Sequence, residues 1–543
     1  MKHIKGNIVD VHSRRIFFGE IIYDDVIKEI RELEGRGDCF ILPGLIDSHV
    51  HIESSMLVPF EFSKLAVSRG TVGVVADPHE IGNVLGVEGV NYMIENSKLS
   101  PMKFFFGAPS CVPATVFDSS GGVIDSNDVC SLMQRDDIWL LSEMMNFPGV
   151  VNQFPEVLNK IQSARDNNKP IDGHAPGLVG ESLEKYIKAG ISTDHECFTI
   201  DEAIAKINLG VTIQIREGSA ARNFEALWPL IASHSDKVMF CTDDSHPDDI
   251  IEKGHIDKMI KLGLSKGLSI FDLLKASVLN PVNHYNLPVG LLQVGDSADF
   301  IVVDDISTFN VLQTHIKGEL VFKDGHDFIG NASVDCVNNF SATPIFKTDL
   351  SVSMPEGKSS VVVIDIIDGE LVTNAKYWSP VLNSDRLIES SPKEDILKIM
   401  VINRYNPSKP FVGFITGFGI MNGAIGCSIS HDSHNIIVVG DNDDDIVLCT
   451  NSIIANRGGV AVSHKGALSV LPLPVAGIMS NESGVVVADR YKQLHEICKL
   501  MGCKLQSPFM LLSFMSLLVI PKLKISDKGL FDVDKFDFID LFN

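Results

Sequence analysis

From Leu42 onward, short apolar runs rich in β-branched residues end in polar residues, and stretches with helical spacing follow them. A period of two marks strands and a period of 3.6 marks helices. This pattern predicts eight strands: Leu45–His51, Val72–Asp77, Phe104–Gly107, Ile138–Glu143, Ile171–His174, Ser192–His195, Val211–Arg216 and Val238–Asp243. Helices are predicted between them, among them Glu156–Asn167, Gly180–Ala189 and Ile200–Asn208. Repeated strand-then-helix units imply an α/β fold with a parallel sheet. Eight units in about 240 residues suit a closed (β/α)8 TIM-like barrel, whose usual size is about 250 residues. The alternative, an open doubly wound sheet, gathers its polar residues near one switch point. Here they stand at the C-terminal ends of several strands, where a barrel keeps its active site.

Two strand-rich flanks bracket this region. Residues 1–43 and 288–340, the latter containing GLLQVGDSADFIVVD and THIKGELVFKDG, are expected to form one small, discontinuous β-sandwich domain around a barrel domain of residues 44–287. Residues 345–543 read as a separate C-terminal α+β domain. Its predicted strands are Ser360–Ile367, Ile436–Val439 and Gly459–Ser463, and its predicted helices Pro392–Val401 and Ala488–Gly502. The apolar run Phe509–Ile520, stopped by Pro521, falls short of the ~20 residues a membrane span needs and reads as buried core.

Charge narrows the range of partners. With 46 basic and 70 acidic side chains the formal charge is -24, which repels phosphate backbones and makes a nucleic acid a poor partner. A small neutral heterocycle is not excluded. The ten cysteines contain no CxxC pair, and the N-terminal stretch lacks the apolar segment of a signal peptide. Reduced thiols in a cytoplasmic protein, with no membrane attachment, are the expectation.

The chemistry starts at Asp47-Ser48-His49-Val50-His51. Alternation along a strand points His49 and His51 the same way. Alone, this pair is weak evidence. Glu143 closes the fourth strand, His174 the fifth, His195 the sixth and Asp243 the eighth. In a barrel all six side chains converge on one mouth. Carboxylates and imidazoles buried together are costly unless paired or metal-bound. The set therefore predicts a binuclear metal centre of His49, His51, Glu143, His174, His195 and Asp243. Unconnected polar residues at loop starts would require several strand ends to coincide by chance. Nitrogen and oxygen donors without thiolate favour manganese, iron or zinc over magnesium. Two such ions lower the pKa of a bridging water, and Asp243 can take its proton and pass it to a leaving group. Asp243 and Glu143 are thus the catalytic candidates, and hydrolysis of a C–N bond the reaction type.

Beyond these residues, PGLIDSHVHIESS, ADPHEIGNV, DGHAPGL, TDHE, IREGSAARN, TDD, HDSHNIIVVG and LPLPVAGIMS resemble the adenine deaminase family of the metal-dependent amidohydrolase superfamily, from about residue 40 to 535. Many relatives carry a carboxylated lysine on the fourth strand; Glu143 stands there in this chain, as in that family. The resemblance implies hydrolysis of adenine to hypoxanthine and ammonia in purine salvage, with Mn2+ or Fe2+ bound, in a homodimer. One departure is the absence of the Gly-containing hairpin usual in the family near residues 19–32.

Weaker signals remain open. His79 and Glu80 either bind substrate, support the centre or hold an extra metal, or form a hydrogen-bonded loop pair. Arg216, Glu217 and Ser219 either contact the substrate or make a structural salt bridge. His431, Asp432, Ser433 and His434 form either a substrate-binding stretch or an internal brace of the third domain. His246, His255 and His284 are expected to be ordinary surface or helix histidines. Two other readings stand beside the deaminase: a related amidohydrolase acting on a cyclic amide or N-acetyl sugar phosphate, and a catalytically silent scaffold, which would be expected to have lost ligands.

Overall fold

A computed structural model describes residues 1–219 and 221–543. The chain divides into two compact units. The first comprises Met1–His79, Val90–Cys111 and Ile124–Val334; the second comprises Glu80–Gly89, Val112–Val123 and Asp335–Asn543.

The first unit contains the barrel. Its strands are Leu45–His51, Thr71–Ala76, Lys103–Ala108, Ile138–Met144, Ile171–Gly173, Thr193–Asp194, Thr212–Arg216 and Val238–Cys241, the last continuing as Asp243–Asp244. All neighbouring strands that form ladders do so in parallel. The first five are joined by ladders in sequence order, and the sixth to eighth form a second run. The ring closes at two places. Asp243 and Asp244 pair with Val50 and His51, and the Ser192 amide donates to the Ile171 carbonyl at 2.9 Å. Strands such as Thr71–Ala76 are buried on both faces, as parallel strands covered by helices require. Gly44 is needed where the first strand starts, because a Cβ there would lie 2.3 Å from a Val72 methyl.

The two flanks share one eight-stranded sheet: Lys2–Asp10, Arg15–Tyr23, Ile27–Glu32 and Phe40–Pro43 join four strands between Phe300 and Asp327. Ile8, Ile21, Ile41, Phe300 and Val302 form its core. Residues 19–32 hold a hairpin whose turn carries no glycine: Arg15–Tyr23 pairs antiparallel with Ile27–Glu32. Its turn is made by Asp24-Asp25, with the Val26 amide donating to the Asp24 carboxylate at 3.2 Å. An Asx turn thus replaces the glycine.

The second unit is built on an eight-stranded sheet, with a three-stranded sheet near the C-terminus. The helix expected at Pro392–Val401 is absent. One 3-10 turn, Pro392–Glu394, is followed by the strand Leu397–Ile402, every residue of which is buried. A short apolar run buried on both faces lacks the alternation that separates strand from helix. Phe509–Ile520 is a short helix followed by a 3-10 turn, with Phe509–Leu518 buried. Among the described residues no helix is long and apolar enough to cross a membrane.

Candidate metal centre

Each of the six expected ligands emerges from the C-terminal end of a barrel strand, and the fold brings them together. His51 Nε2 lies 3.3 Å from both Glu143 Oε1 and Asp243 Oδ1. His195 Nε2 is 3.2 Å and His174 Nδ1 2.7 Å from Glu143 Oε2. His49 Nε2 stands 3.8 Å from Asp243 Oδ1, and its ring stacks on His195 with centroids 4.3 Å apart. Glu143 therefore sits between imidazoles, with His51 beside Oε1 and His174 and His195 beside Oε2. Asp243 takes φ +57°, a left-handed conformation that interrupts the eighth strand. Such backbone outliers cluster at functional sites, where surrounding structure holds them.

Charge in this pocket is balanced internally. Burial alone would raise the Glu143 pKa, but His174, His195 and His51 outweigh it and hold the carboxyl well below its usual range. Burial, joined by repulsion from His195 and His51, pushes His49 well below its ordinary value and leaves a free lone pair. Burial would likewise lower His174, yet Glu196 and Glu143 lift it to about 9. Protons on imidazole here occupy positions that a bound cation takes over. His49 Nε2 is buried and makes no hydrogen bond, and four overlapping groups of carboxylates and imidazoles have donor atoms within 4.8 Å of one another. This donor set fits divalent metal ions: an orphaned imidazole nitrogen, carboxylate oxygens between histidines, and no thiolate.

Two acidic residues join the cluster that the strand-end reading missed. Asp77 Oδ2 lies 3.2 Å from His79 Nδ1, which is 3.7 Å from Glu143 Oε1. Glu196 Oε1 is 3.4 Å from His195 Nε2. Both signals were present: Asp77 precedes His79 by two residues, and Glu196 follows His195 directly. Arg216 is held in a salt bridge, donating from Nη1 to Glu196 Oε1 and Asp243 Oδ2, both at 2.5 Å, and from Nη2 to Glu196 Oε2 at 3.0 Å. Glu217 pairs with Lys258 at 2.9 Å. The Ser219 hydroxyl accepts the His246 amide at 2.9 Å, joining the loops that follow the seventh and eighth strands.

A layer of buried polar groups supports the ligands. His51 Nδ1 lies 3.2 Å from the Asp77 carbonyl, which orients the ring. His255, expected as an ordinary surface or helix histidine, is instead fully buried. Its Nε2 lies 3.2 Å from Asp47 Oδ2, and its Nδ1 2.8 Å from the Thr71 hydroxyl. Asp47 also accepts from the Thr242 amide at 3.1 Å and the Thr242 hydroxyl at 2.5 Å. This fastens the strand of His49 to the residue before Asp243. The cause lies in tertiary packing, which no local pattern around His255 reveals.

In the second unit, Glu80 meets the His431–His434 stretch: His431 Nδ1 is 3.7 Å from Glu80 Oε1 and 3.8 Å from Asp432 Oδ1. The His431 ring stacks on Phe514 at 4.5 Å. The Tyr405 hydroxyl donates to the Ser433 carbonyl at 2.6 Å. All four residues from His431 to His434 are buried.

A parallel barrel carrying carboxylates and histidines at its strand ends defines a metal-dependent hydrolase of the amidohydrolase class, and the amidohydrolase family profile matches residues 40–321. The profile of the adenine deaminase C-terminal domain matches residues 370–537. The chain is 53% identical to the adenine deaminase of Methanosarcina mazei, over 100% of both chains. It is 47% identical to that of Salinibacter ruber over 99% of this chain and 98% of the relative. It is also 47% identical to that of Borreliella burgdorferi, over 99% of each. The chain belongs to the adenine deaminase family.

Proposed function

We propose that this protein hydrolyses adenine to hypoxanthine and ammonia in purine salvage. The observation that carries the reading is the buried convergence of Glu143, Asp243 and four histidines, in a chain matched over its whole length by adenine deaminases. His49, His51 and Asp243 would hold one ion, His174 and His195 the other, with Glu143 shared. Manganese or iron is proposed, with zinc also compatible with the donors. When bound, such ions supply a water of lowered pKa for attack on the ring carbon bearing the amino group.

The chain's own groups do the rest. Arg216 occupies Asp243 Oδ2, while Asp243 Oδ1 faces His49 and His51. Asp243 is thereby fixed with one oxygen toward the imidazoles. Burial would raise its pKa, but Arg216 and His51 keep it ionised and able to accept the water's proton. Returning that proton to the departing amino group releases ammonia and leaves the ring carbonyl of hypoxanthine. His79, packed against His51 with ring centroids 4.6 Å apart, would contact the purine edge. All ten cysteines are free thiols, which fits a cytoplasmic setting. Homodimeric assembly, implied by the family resemblance, is checked by sedimentation.

Metal-loaded protein incubated with adenine should yield hypoxanthine and ammonia in equal amounts. The same preparation is offered a cyclic amide and an N-acetyl sugar phosphate. Turnover of either without turnover of adenine would overturn the proposal.

A further inference from the structure

Lys206 lies on the helix Ile200–Asn208, outside the donor set, and its side chain is 1% exposed. Its ammonium makes three contacts. It donates to the Asp194 carboxylate, to the Ala175 carbonyl at 2.7 Å and to Glu202 Oε1 at 2.8 Å. Asp194 immediately precedes His195, and Ala175 immediately follows His174. The second oxygen of Asp194 accepts the Glu196 amide at 2.8 Å. Glu202 extends the clamp, accepting the Gly177 amide at 3.0 Å and the Phe198 amide at 3.4 Å. One buried cation thus grips the backbone on the far side of His174 and the flanks of His195.

Burying an ammonium with two carboxylates is costly, and apolar residues of similar volume often serve stability as well or better. Such a triad is therefore weak evidence of a stabilising role. Its distinguishing feature is what it touches: both loops that present imidazoles to the Glu143 Oε2 side of the centre, and not the strand that carries His49 and His51. Groups that orient metal ligands from behind typically govern metal affinity by about 10- to 100-fold.

We propose that Lys206 is a positioning residue for the metal centre, holding His174 and His195 in register so that the ion beside Glu143 Oε2 binds tightly. The inference rests on the binuclear reading above. It concerns one of the two ions: losing Lys206 weakens that site and spares the one built from His49, His51 and Asp243.

The test is a titration of metal-free Lys206→Met protein with Mn2+, reading bound metal and affinity without substrate. The expected result is a first equivalent bound as in the unaltered protein and a second bound at least about tenfold more weakly. Circular dichroism and the cooperative melt of the metal-free protein should be retained, and excess Mn2+ should recover most turnover. Two equivalents bound with unaltered affinity would overturn the proposal, as would equal weakening of both. If Lys206→Met does not fold, Glu202→Gln decides by the same titration: a selectively weakened second equivalent supports the clamp, and unaltered binding overturns it. Because no substrate is present, failure to deaminate adenine would count against the proposed activity and leave this result standing. Unaltered protein binding fewer than two ions would overturn both.

Discussion

Two regions of this protein bury histidines and carboxylates together, and they do so differently. In the barrel, Glu143 lies between imidazoles on both sides, and donor atoms from several strand ends fall within 4.8 Å of one another. In the second unit, His431 and Glu80 stand 3.7 Å apart. There the surrounding stretch is tied to aromatic rings and backbone carbonyls, through Phe514 and Tyr405. Among the described residues, no metal-competent group includes His431, Asp432 or His434. What sets the barrel cluster apart is that the oxygens of Glu143 and Asp243 lie among several imidazoles.

Two buried lysines repeat the contrast. Burial would lower the Lys206 pKa, but Asp194 outweighs it and the pKa is raised. Lys524 in the second unit donates to two carbonyls, Leu371 at 2.8 Å and Phe514 at 3.1 Å, and among the described residues to no carboxylate. Burial accordingly lowers its pKa to about 7.

The largest expected effect breaks the barrel side of the comparison. Asp243→Asn should reduce kcat by about 10²–10⁴-fold, the usual worth of a positioned acid–base group, while the protein stays folded. His49→Ala should likewise abolish turnover and, unlike Asp243→Asn, remove a neutral ligand outright. Steady-state assays beside circular dichroism check both. The next effect sharpens the comparison. His431→Asn should leave two metal ions bound, and any fall in kcat/KM should stay within about 10–100-fold, the 1.5–3 kcal/mol of one charged hydrogen bond. Loss of an ion in that variant would dissolve the distinction between the two regions.

The smallest effect concerns pH. A lysine whose folded pKa lies near 7 and whose unfolded pKa lies near 10.5 is protonated more in the unfolded chain between those values. Stability therefore rises with pH from about 7 to about 10.5, and below 7 the cost is constant, on the order of a few kcal/mol. Lys524→Met should flatten this rise in chemical denaturation of the second unit. An unchanged slope would show that Lys524 is charged and paired in the fold.

Much of the barrel was legible because its signals are local. Apolar β-branched runs mark parallel strands, and the first strand, Leu45–His51, was read to the residue. The meeting of the six candidate ligands at strand ends followed from alternation along a strand together with barrel topology. The parts that were not legible depend on distant neighbours. Asp77 and Glu196 join the cluster only because the barrel carries the ends of its second and sixth strands toward Glu143 on the fourth. His255 is buried because Asp47, some two hundred positions away, faces it. Leu397–Ile402 was misread because a strand buried on both faces has no alternation to report. The hairpin near residues 19–32 uses an aspartate turn where a glycine was sought.

The central claim is that six side chains from five barrel strands grip two ions that make water reactive. It is tested most directly by titrating metal-free protein with Mn2+ while measuring bound metal and hypoxanthine formation on one preparation. The account predicts uptake of two ions per chain, with deamination appearing as the second is filled. Full deamination by protein stripped of metal, or saturation at a single ion, would contradict it.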